Sequence, residues 1–197
     1  MAFVSEATAE REWALMEIAS FEDVLAFWFS EAQSSRWYAN DDNFDAEIRQ
    51  RFLSTYEAAN SGTLDEWRNT PESMLALIIL LDQFPRNMFR GSPPAFASDA
   101  RAVNLTKEGI KRGFDRSLTE AQLDFFYMPL MHSEALSDHD LLLEQGHGDN
   151  RYAQEHREII ARFGRFPHRN QTLGRDAPSR KPHIWRRGLI PPFNFKY

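Results

Sequence analysis

The chain has 197 residues, of which 42% are apolar, 26% charged and 13% aromatic, and it contains no cysteine. These proportions are those of one soluble globular domain that can form a core without a disulfide or a metal. The longest apolar run, from Met74 to Leu81, is far shorter than the roughly 20 residues that a membrane helix needs. No secretory leader is visible at the start, so we expect a cytoplasmic protein. The lack of cysteine excludes thiolate-bound metals and thiol nucleophiles.

Charge is distributed unevenly along the chain. Residues 1–150 carry 12 Lys and Arg against 26 Asp and Glu, whereas residues 151–197 carry 11 against 3. Arginine outnumbers lysine 19 to 4, and its planar fork suits bidentate contact with carboxylate or phosphate groups. The basic end is therefore suited to dock on the acidic remainder of the chain, or to bind an anionic ligand or nucleic acid.

The apolar residues recur at helical spacing along most of the chain. Ser20 precedes a short apolar helix from Phe21 to Phe29, and an Asp41–Asp42 cap precedes a helix that Gly62 ends. The segment after Thr70 is apolar on all sides, so we expect a central helix, which Pro85 ends after Phe84. The remaining pattern predicts helices from Pro94 to Arg112, from Thr119 to Tyr127, from Ser137 to Leu143 and from Tyr152 to Phe163.

This spacing predicts an all-α fold of about seven helices, arranged as a bundle or as stacked hairpins, with no significant sheet. Residues 1–175 are expected to form a single helical domain. Residues 176–197 contain four prolines and no helical period, so we expect an irregular basic tail there.

One short pattern occurs twice, each time at the end of a predicted helix. Gln83-Phe84-Pro85-Arg86-Asn87 follows the central helix, and Arg165-Phe166-Pro167-His168-Arg169-Asn170 follows the last one. In each, proline is expected to end the helix so that phenylalanine enters the core while arginine and asparagine project from the corner. The two corners either face one common site or are a helix-ending device that recurs.

Four segments resemble the bacterial "domain of unknown function 924" family over about residues 21–175. The resemblance implies an all-α fold of the tetratricopeptide-like superfamily and no established activity. It also implies a further helix after Arg175, where this chain has its proline-flanked basic tail. The segments are Phe27-Trp28-Phe29, Leu80-Leu81-Asp82-Gln83-Phe84-Pro85-Arg86-Asn87, Tyr127-Met128-Pro129-Leu130-Met131-His132-Ser133-Glu134 and Phe163-Gly164-Arg165-Phe166-Pro167-His168-Arg169-Asn170.

The polar residues inside these apolar segments are the candidate site, because burying them requires partners or a ligand. We expect a pocket for a small anionic molecule, walled by Trp28, Trp37 and Phe84. Its expected ligand-binding residues are Asp82, Gln83, Arg86, Asn87, Arg165, Arg169 and Asn170. The alternative is that these residues form structural ion pairs and hydrogen bonds.

If the pocket is catalytic, His132 and Glu134 form the acid–base pair and His168 is an alternative proton donor. A metal is not expected, because positions 132 and 134 point to different faces of a helix. No phosphate-binding loop of the Walker or Rossmann type is present, and no cofactor is predicted.

The alternative function is a tetratricopeptide-like surface that binds a protein or peptide, on which the same residues are purely structural. Nucleic acid is an unlikely partner because the acidic body would repel phosphate backbones.

Overall fold

The computed structural model describes residues 18–176, which form α-helices and short turns without any strand. The predicted all-α class is confirmed, with eight α-helices in this part of the chain where about seven were expected. Residues 1–17 and nearly all of the predicted tail, from 177 onward, lie outside the described range. The helices are α1 (Phe21–Trp28), α2 (Glu31–Ser34), α3 (Asp42–Ser61), α4 (Pro71–Met88), α5 (Asp99–Arg112), α6 (Glu120–His132), α7 (Leu136–Leu142) and α8 (Arg151–Phe163).

Capping residues start and end most of these helices where the sequence predicts. Ser20 and Asp23 form a capping box at α1, and the Gln122 side chain accepts the Thr119 N–H at α6, at 2.9 Å. Single side-chain caps start three more helices, and glycines with positive φ end three. These residues are Asp41, Thr70 and Asn150 at the starts, and Gly62, Gly113 and Gly164 at the ends.

Helix α4 lies at the centre of the described structure, as its apolar run predicts. Its side chains from Ser73 to Met88 are all buried, and it contacts α1, α3, α5 and α6. The ring of Phe84 lies 5.5 Å from that of Trp28 and 4.9 Å from that of Phe52, so an aromatic cluster covers one side of α4. Asp82 and Arg86 are one turn apart on another side of the same helix, where they face α5 and α6.

The prediction that α4 ends at Phe84 is wrong, because the helix continues through Pro85 to Met88. A proline within a helix removes one N–H and leaves the carbonyl four residues earlier without its partner. That carbonyl belongs to Leu81, and the Ser98 hydroxyl donates to it at 2.6 Å. Arg86 and Asn87 therefore lie on the buried last turn of α4 instead of projecting from a corner.

The same error affects α6, which passes through Pro129 to His132 instead of closing at Tyr127. Here the Thr106 hydroxyl donates at 3.0 Å to the Phe126 carbonyl, next to the carbonyl that Pro129 deprives of its partner. The Ser98 hydroxyl, just before α5, thus satisfies the freed carbonyl of α4. The Thr106 hydroxyl, on α5, binds the turn of α6 that Pro129 disturbs. Each bond helps its helix to continue past the proline.

Three further boundaries differ from the predictions. Residues Pro93–Phe96 form a separate 3₁₀ turn, and α5 starts only at Asp99, because Ser98 has φ −99° and ψ 0° while its hydroxyl binds Leu81. Helix α7 starts after Ala135, so Ser137 lies inside it and does not cap it. The short helix α2 was not predicted.

Helix α5 packs closely on its neighbours and forms one wall of the site described below. A Cβ on Gly109 would lie 2.6 Å from Cζ of Phe126 and 2.9 Å from Sδ of Met74, so only glycine fits there without repacking. In the described residues, no helix combines the length and the hydropathy that crossing a membrane requires.

Candidate functional site

A buried polar contact joins Asp82 on α4 to His132 at the end of α6. Nδ1 of His132 lies 2.8 Å and 3.0 Å from the two carboxylate oxygens of Asp82. Asp82 is fully buried and His132 is 3% exposed. The amide of the buried Gln83 also donates to Asp82, so the carboxylate has partners on both oxygens.

Arg86 links this pair to a second aspartate. Its Nη1 lies 3.2 Å from Oδ1 of Asp82 and 3.0 Å from Oδ1 of Asp99, the first residue of α5. The other oxygen of Asp99 lies 3.0 Å from Nη1 of Arg169. Arg86, Asp99 and Arg169 therefore form a chain of alternating charges in which Asp99 is shared between two guanidinium groups.

Burial and these neighbours fix the charge states of the histidine and aspartate. Burial by itself would raise the pKa of Asp82, but Arg86 and His132 outweigh it and lower that pKa to about 2. Burial, followed by the positive charge of Arg86, lowers the pKa of His132 from 6.5 to about 4, against the opposing effect of Asp82. Because an ionised carboxylate can only accept, we assign the proton of the neutral imidazole to Nδ1, which leaves Nε2 as the basic nitrogen.

Arg169 is held between two aromatic rings. Its guanidinium carbon lies 4.6 Å from the centre of the Phe96 ring and 4.8 Å from that of Phe166, and the residue is only 5% exposed. Its Nε has no hydrogen-bond acceptor within the described part of the chain. Burial and the nearby Arg86 lower the pKa of Arg169, although an arginine still carries its charge at any physiological pH.

Arg169, His132 and Asp99 all line one cleft of about 510 Å³, which we call the α5 cleft. The volume lies in the range of about 300–1,000 Å³ that is usual for small-molecule sites. One wall is the face of α5 from Asp99 to Lys107, and the opposite wall is the end of α6 with the residues that follow it, Ser133 and Glu134.

The other carboxylates of the α5 cleft have cationic partners. Arg175 makes a two-point contact with Glu134, at 2.6 Å and 2.9 Å, and the Phe166 N–H donates to Glu134 at 2.8 Å. Asp138 pairs with Lys107 at 2.5 Å and accepts from the Ser133 hydroxyl at 2.6 Å. The polar walls of the cleft are thus nearly balanced in charge.

His132 and Glu134, the predicted acid–base pair, both line the α5 cleft, but their side chains have different partners. The carboxylate that contacts His132 is Asp82, which lies 50 residues earlier in the chain, whereas Glu134 holds the loop that carries Phe166 and Arg175. A residue two positions after the last turn of a helix points away from it, so proximity in sequence did not bring the two side chains together.

The three aromatic residues predicted to wall the pocket do not line the α5 cleft. Trp28 is completely buried and packs on Phe84 on another side of α4. Trp37 lies 4.7 Å from Phe125 between ring centres and donates its indole N–H to the Trp28 carbonyl at 2.8 Å. None of these rings lines the α5 cleft, whose aromatic residue is Phe96.

Four more of the predicted site residues lie outside the α5 cleft. Asn87 donates to Asp45 on α3 at 2.8 Å. Arg165 is half-buried and donates weakly, at 3.4 Å, to the Asp176 carbonyl. Asn170 is buried, and its side-chain amide has no hydrogen-bond partner among the described residues. The ring of His168, in the 3₁₀ turn Pro167–Arg169, lies 5.4 Å from that of Phe166.

Sequence reasoning missed Asp99 and the Lys107–Asp138 pair. Asp99 stands one residue after Ser98 at the start of α5, and an acidic residue there looks like an ordinary first-turn charge. The only usable signal was the excess of arginine inside the apolar segments, since buried guanidinium groups need buried carboxylates. In the described residues, no group of three or more histidine, aspartate or glutamate side chains is arranged to hold a metal ion.

The pKa of His132 predicts a dependence of stability on pH. An unfolded histidine takes up a proton below pH 6.5, whereas His132 in the folded protein does so only near pH 4. Stability is therefore fully present above pH 6.5 and is lost as the pH falls from about 6.5 to about 4. We expect urea unfolding at pH 7.5, 6 and 5 to show a falling free energy, by on the order of a few kcal/mol.

His132→Gln can still donate to Asp82 but cannot titrate, so this variant should lose less stability over the same interval. The slope will not vanish, because burial also lowers the pKa of His139, His156 and His168. An equal slope in the variant and the unmodified protein would show that His132 is not held neutral.

A family model described as "Bacterial protein of unknown function (DUF924)" matches residues 24–181. The chain is 38% identical to the protein in "Structure of Protein of Unknown Function ATU0120 from Agrobacterium tumefaciens", with a TM-score of 0.76 over 81% of this chain and 92% of that one. No curated protein matches. Because the family model covers most of the chain, the protein belongs to the bacterial family of unknown function DUF924 that its motifs resemble.

Proposed function

We propose that the protein binds a small molecule with a carboxylate or phosphate group in the α5 cleft, and that His132 exchanges a proton with that molecule. The observation that carries the proposal is the placement of Arg169 and His132 on one cleft, the arginine buried and the histidine held by Asp82. A neutral imidazole whose Nδ1–H is fixed by a carboxylate is oriented to act as a base through Nε2.

Arg169 is the anion contact in this proposal. Its charge is only partly compensated, because Asp99 is shared with Arg86. Its Nε is enclosed and has no acceptor among the described residues, so the guanidinium is not fully satisfied by the described part of the chain. A desolvated guanidinium forms charge-assisted hydrogen bonds that are stronger than those between neutral groups.

The first turn of α5 supports an anion at the same end of the cleft. Ser98 precedes α5 but donates its hydroxyl to Leu81, so no side chain caps the helix. Asp99 and Ala100 of this turn line the cleft. The N–H groups and the partial positive charge at the start of a helix favour an anion there.

Arg86 has an indirect role. It does not line the cleft but pairs with both Asp82 and Asp99. Arg86 is thus a positioning residue, which holds the carboxylate behind His132 and the one beside Arg169.

The test is a titration of isotope-labelled protein with sodium acetate and with inorganic phosphate, followed by NMR. We expect saturable shifts at cleft residues with a Kd on the order of 1 mM, because such small ligands bind weakly. The pKa of His132 should rise on binding, since a nearby anion favours the imidazolium.

Arg169→Gln should abolish these shifts, whereas Arg165→Gln, which changes an arginine outside the cleft, should leave them unchanged. Arg169→Lys keeps the charge but not the planar fork and should bind with intermediate affinity. Shifts that fail to saturate, or an equal loss in the Arg165 variant, would refute the proposal.

The alternative function, a tetratricopeptide-like surface for a protein or peptide, rests on the fold alone. We favour the small-molecule site because Asp99, His132 and Arg169, from distant parts of the chain, meet at one cleft. A cytoplasmic location remains part of this proposal.

A further inference from the structure

The α5 cleft extends well beyond its Arg169 end. The residues of α5 that line it recur every three or four positions from Asp99 to Lys107, so they form one face of the helix. Eight residues of α-helix span about 12 Å. The cleft is therefore long enough for a molecule that carries more than a single anionic group.

Most side chains on this side of the cleft are small or apolar. Ala97 and Ala100 are exposed, and the mostly buried Val103 follows one turn later on the same wall, next to the exposed polar Asn104. Phe96 and Leu173 contribute further apolar surface to the cleft. Exposed apolar side chains that line a concave surface are typical of a ligand site.

The carboxylates of the cleft do not call for a cationic ligand group. Asp99 pairs with two arginines, Glu134 with Arg175 and Asp138 with Lys107. A ligand that places an anion at Arg169 therefore has no unpaired negative charge to satisfy farther along. The apolar wall, not a second charge, determines what else the ligand contains.

We infer that the ligand of the α5 cleft is a monoanionic carboxylic acid with an aliphatic chain. Its carboxylate lies at Arg169 and the first turn of α5, and its chain lies along Ala97, Ala100 and Val103. This inference rests on the proposed function and adds the substrate class to it.

The experiment compares acetate, butyrate, hexanoate and octanoate as probes, with hexan-1-ol as the uncharged control. Each methylene that enters the cleft should tighten binding by about fourfold, until the chain leaves the apolar wall. Hexan-1-ol should bind far more weakly than hexanoate, because it cannot pair with Arg169.

Ala100→Leu fills the cleft from an exposed helical position and should remove the gain in affinity from acetate to hexanoate that the unmodified protein shows. Ala161→Leu makes the same change on the exposed face of α8, outside the cleft, and should have no effect. Circular dichroism of both variants checks that they fold.

The outcomes separate this inference from the proposed function. If acetate and hexanoate bind equally well and both need Arg169, the aliphatic chain is refuted while the anion site stands. Phosphate that binds more tightly than hexanoate refutes the chain in the same way. If affinity rises with chain length as steeply in Ala100→Leu as in the unmodified protein, the acids adsorb outside the cleft and the inference fails. If no acid binds in an Arg169-dependent way, both proposals fail.

Discussion

Replacing Arg86 with alanine is expected to lower the free energy of unfolding by about 3–5 kcal/mol. The guanidinium is 2% exposed and contacts both Asp82 and Asp99. Removing it leaves two carboxylates with reduced compensation, one of them fully buried, and a cavity beside Phe96. A direct ligand contact, as the sequence suggests for Arg86, would instead cost binding and little stability.

Urea unfolding at pH 7.5 measures this effect. Arg151→Ala is the matched control, because Arg151 pairs with Glu155 across one helical turn, as Arg86 does with Asp82, but its side chain is 75% exposed. Solvent screens such a surface pair, so the control should lose far less stability than Arg86→Ala. Equal losses in the two variants would show that the buried network contributes nothing beyond an ordinary surface pair.

Replacing Asp99 with asparagine is expected to tighten the binding of acetate by about tenfold or more. In the unmodified protein the Asp99 carboxylate occupies Arg169 and repels an incoming anion at the same end of the cleft. Two unit charges 4 Å apart interact by about 4 kcal/mol near a protein surface, so even partial relief exceeds the roughly 1.4 kcal/mol that corresponds to tenfold. Most substitutions in a binding site weaken binding, so tighter acetate binding in this variant would specifically support Arg169 as the anion contact.

The same NMR titration with acetate measures the change. Asp140→Asn removes a carboxylate that pairs with Arg157 on α8, away from the α5 cleft, and should leave the affinity unchanged. Weaker acetate binding in Asp99→Asn than in the unmodified protein would contradict the assignment of Arg169 as the anion contact.

Much of the fold follows from the sequence, because its helix starts depend on local chemistry. Ser20, Asp41 and Thr70 cap helices where their hydrogen-bonding side chains predict. The error at Pro85 has a tertiary cause. Whether a proline ends a helix depends on what else can satisfy the freed carbonyl, and the hydroxyl of Ser98 comes from a part of the chain that folds back over α4.

The site is less predictable, because it depends on which side of each helix faces which neighbour. Asp82, Arg86, His132 and Arg169 were all identified as candidates, since polar residues inside apolar segments need partners. Which of them pair with each other could not be identified, because contacts such as that between His132 and Asp82 join residues 50 positions apart. Trp28 shows the opposite error: a large aromatic residue near a motif filled the core instead of a pocket.

The hydrogen bond from Ser98 to Leu81 has a consequence for how the cleft can move. It fastens the beginning of α5 to the most buried helix of the described residues, at a carbonyl that has no helical partner because of Pro85. The α5 wall of the cleft is therefore fixed relative to α4. Closure around a bound molecule is therefore expected from the other wall, formed by the residues after α6 and the 3₁₀ turn that carries Arg169. The two walls of the cleft would then contribute unequally to induced fit.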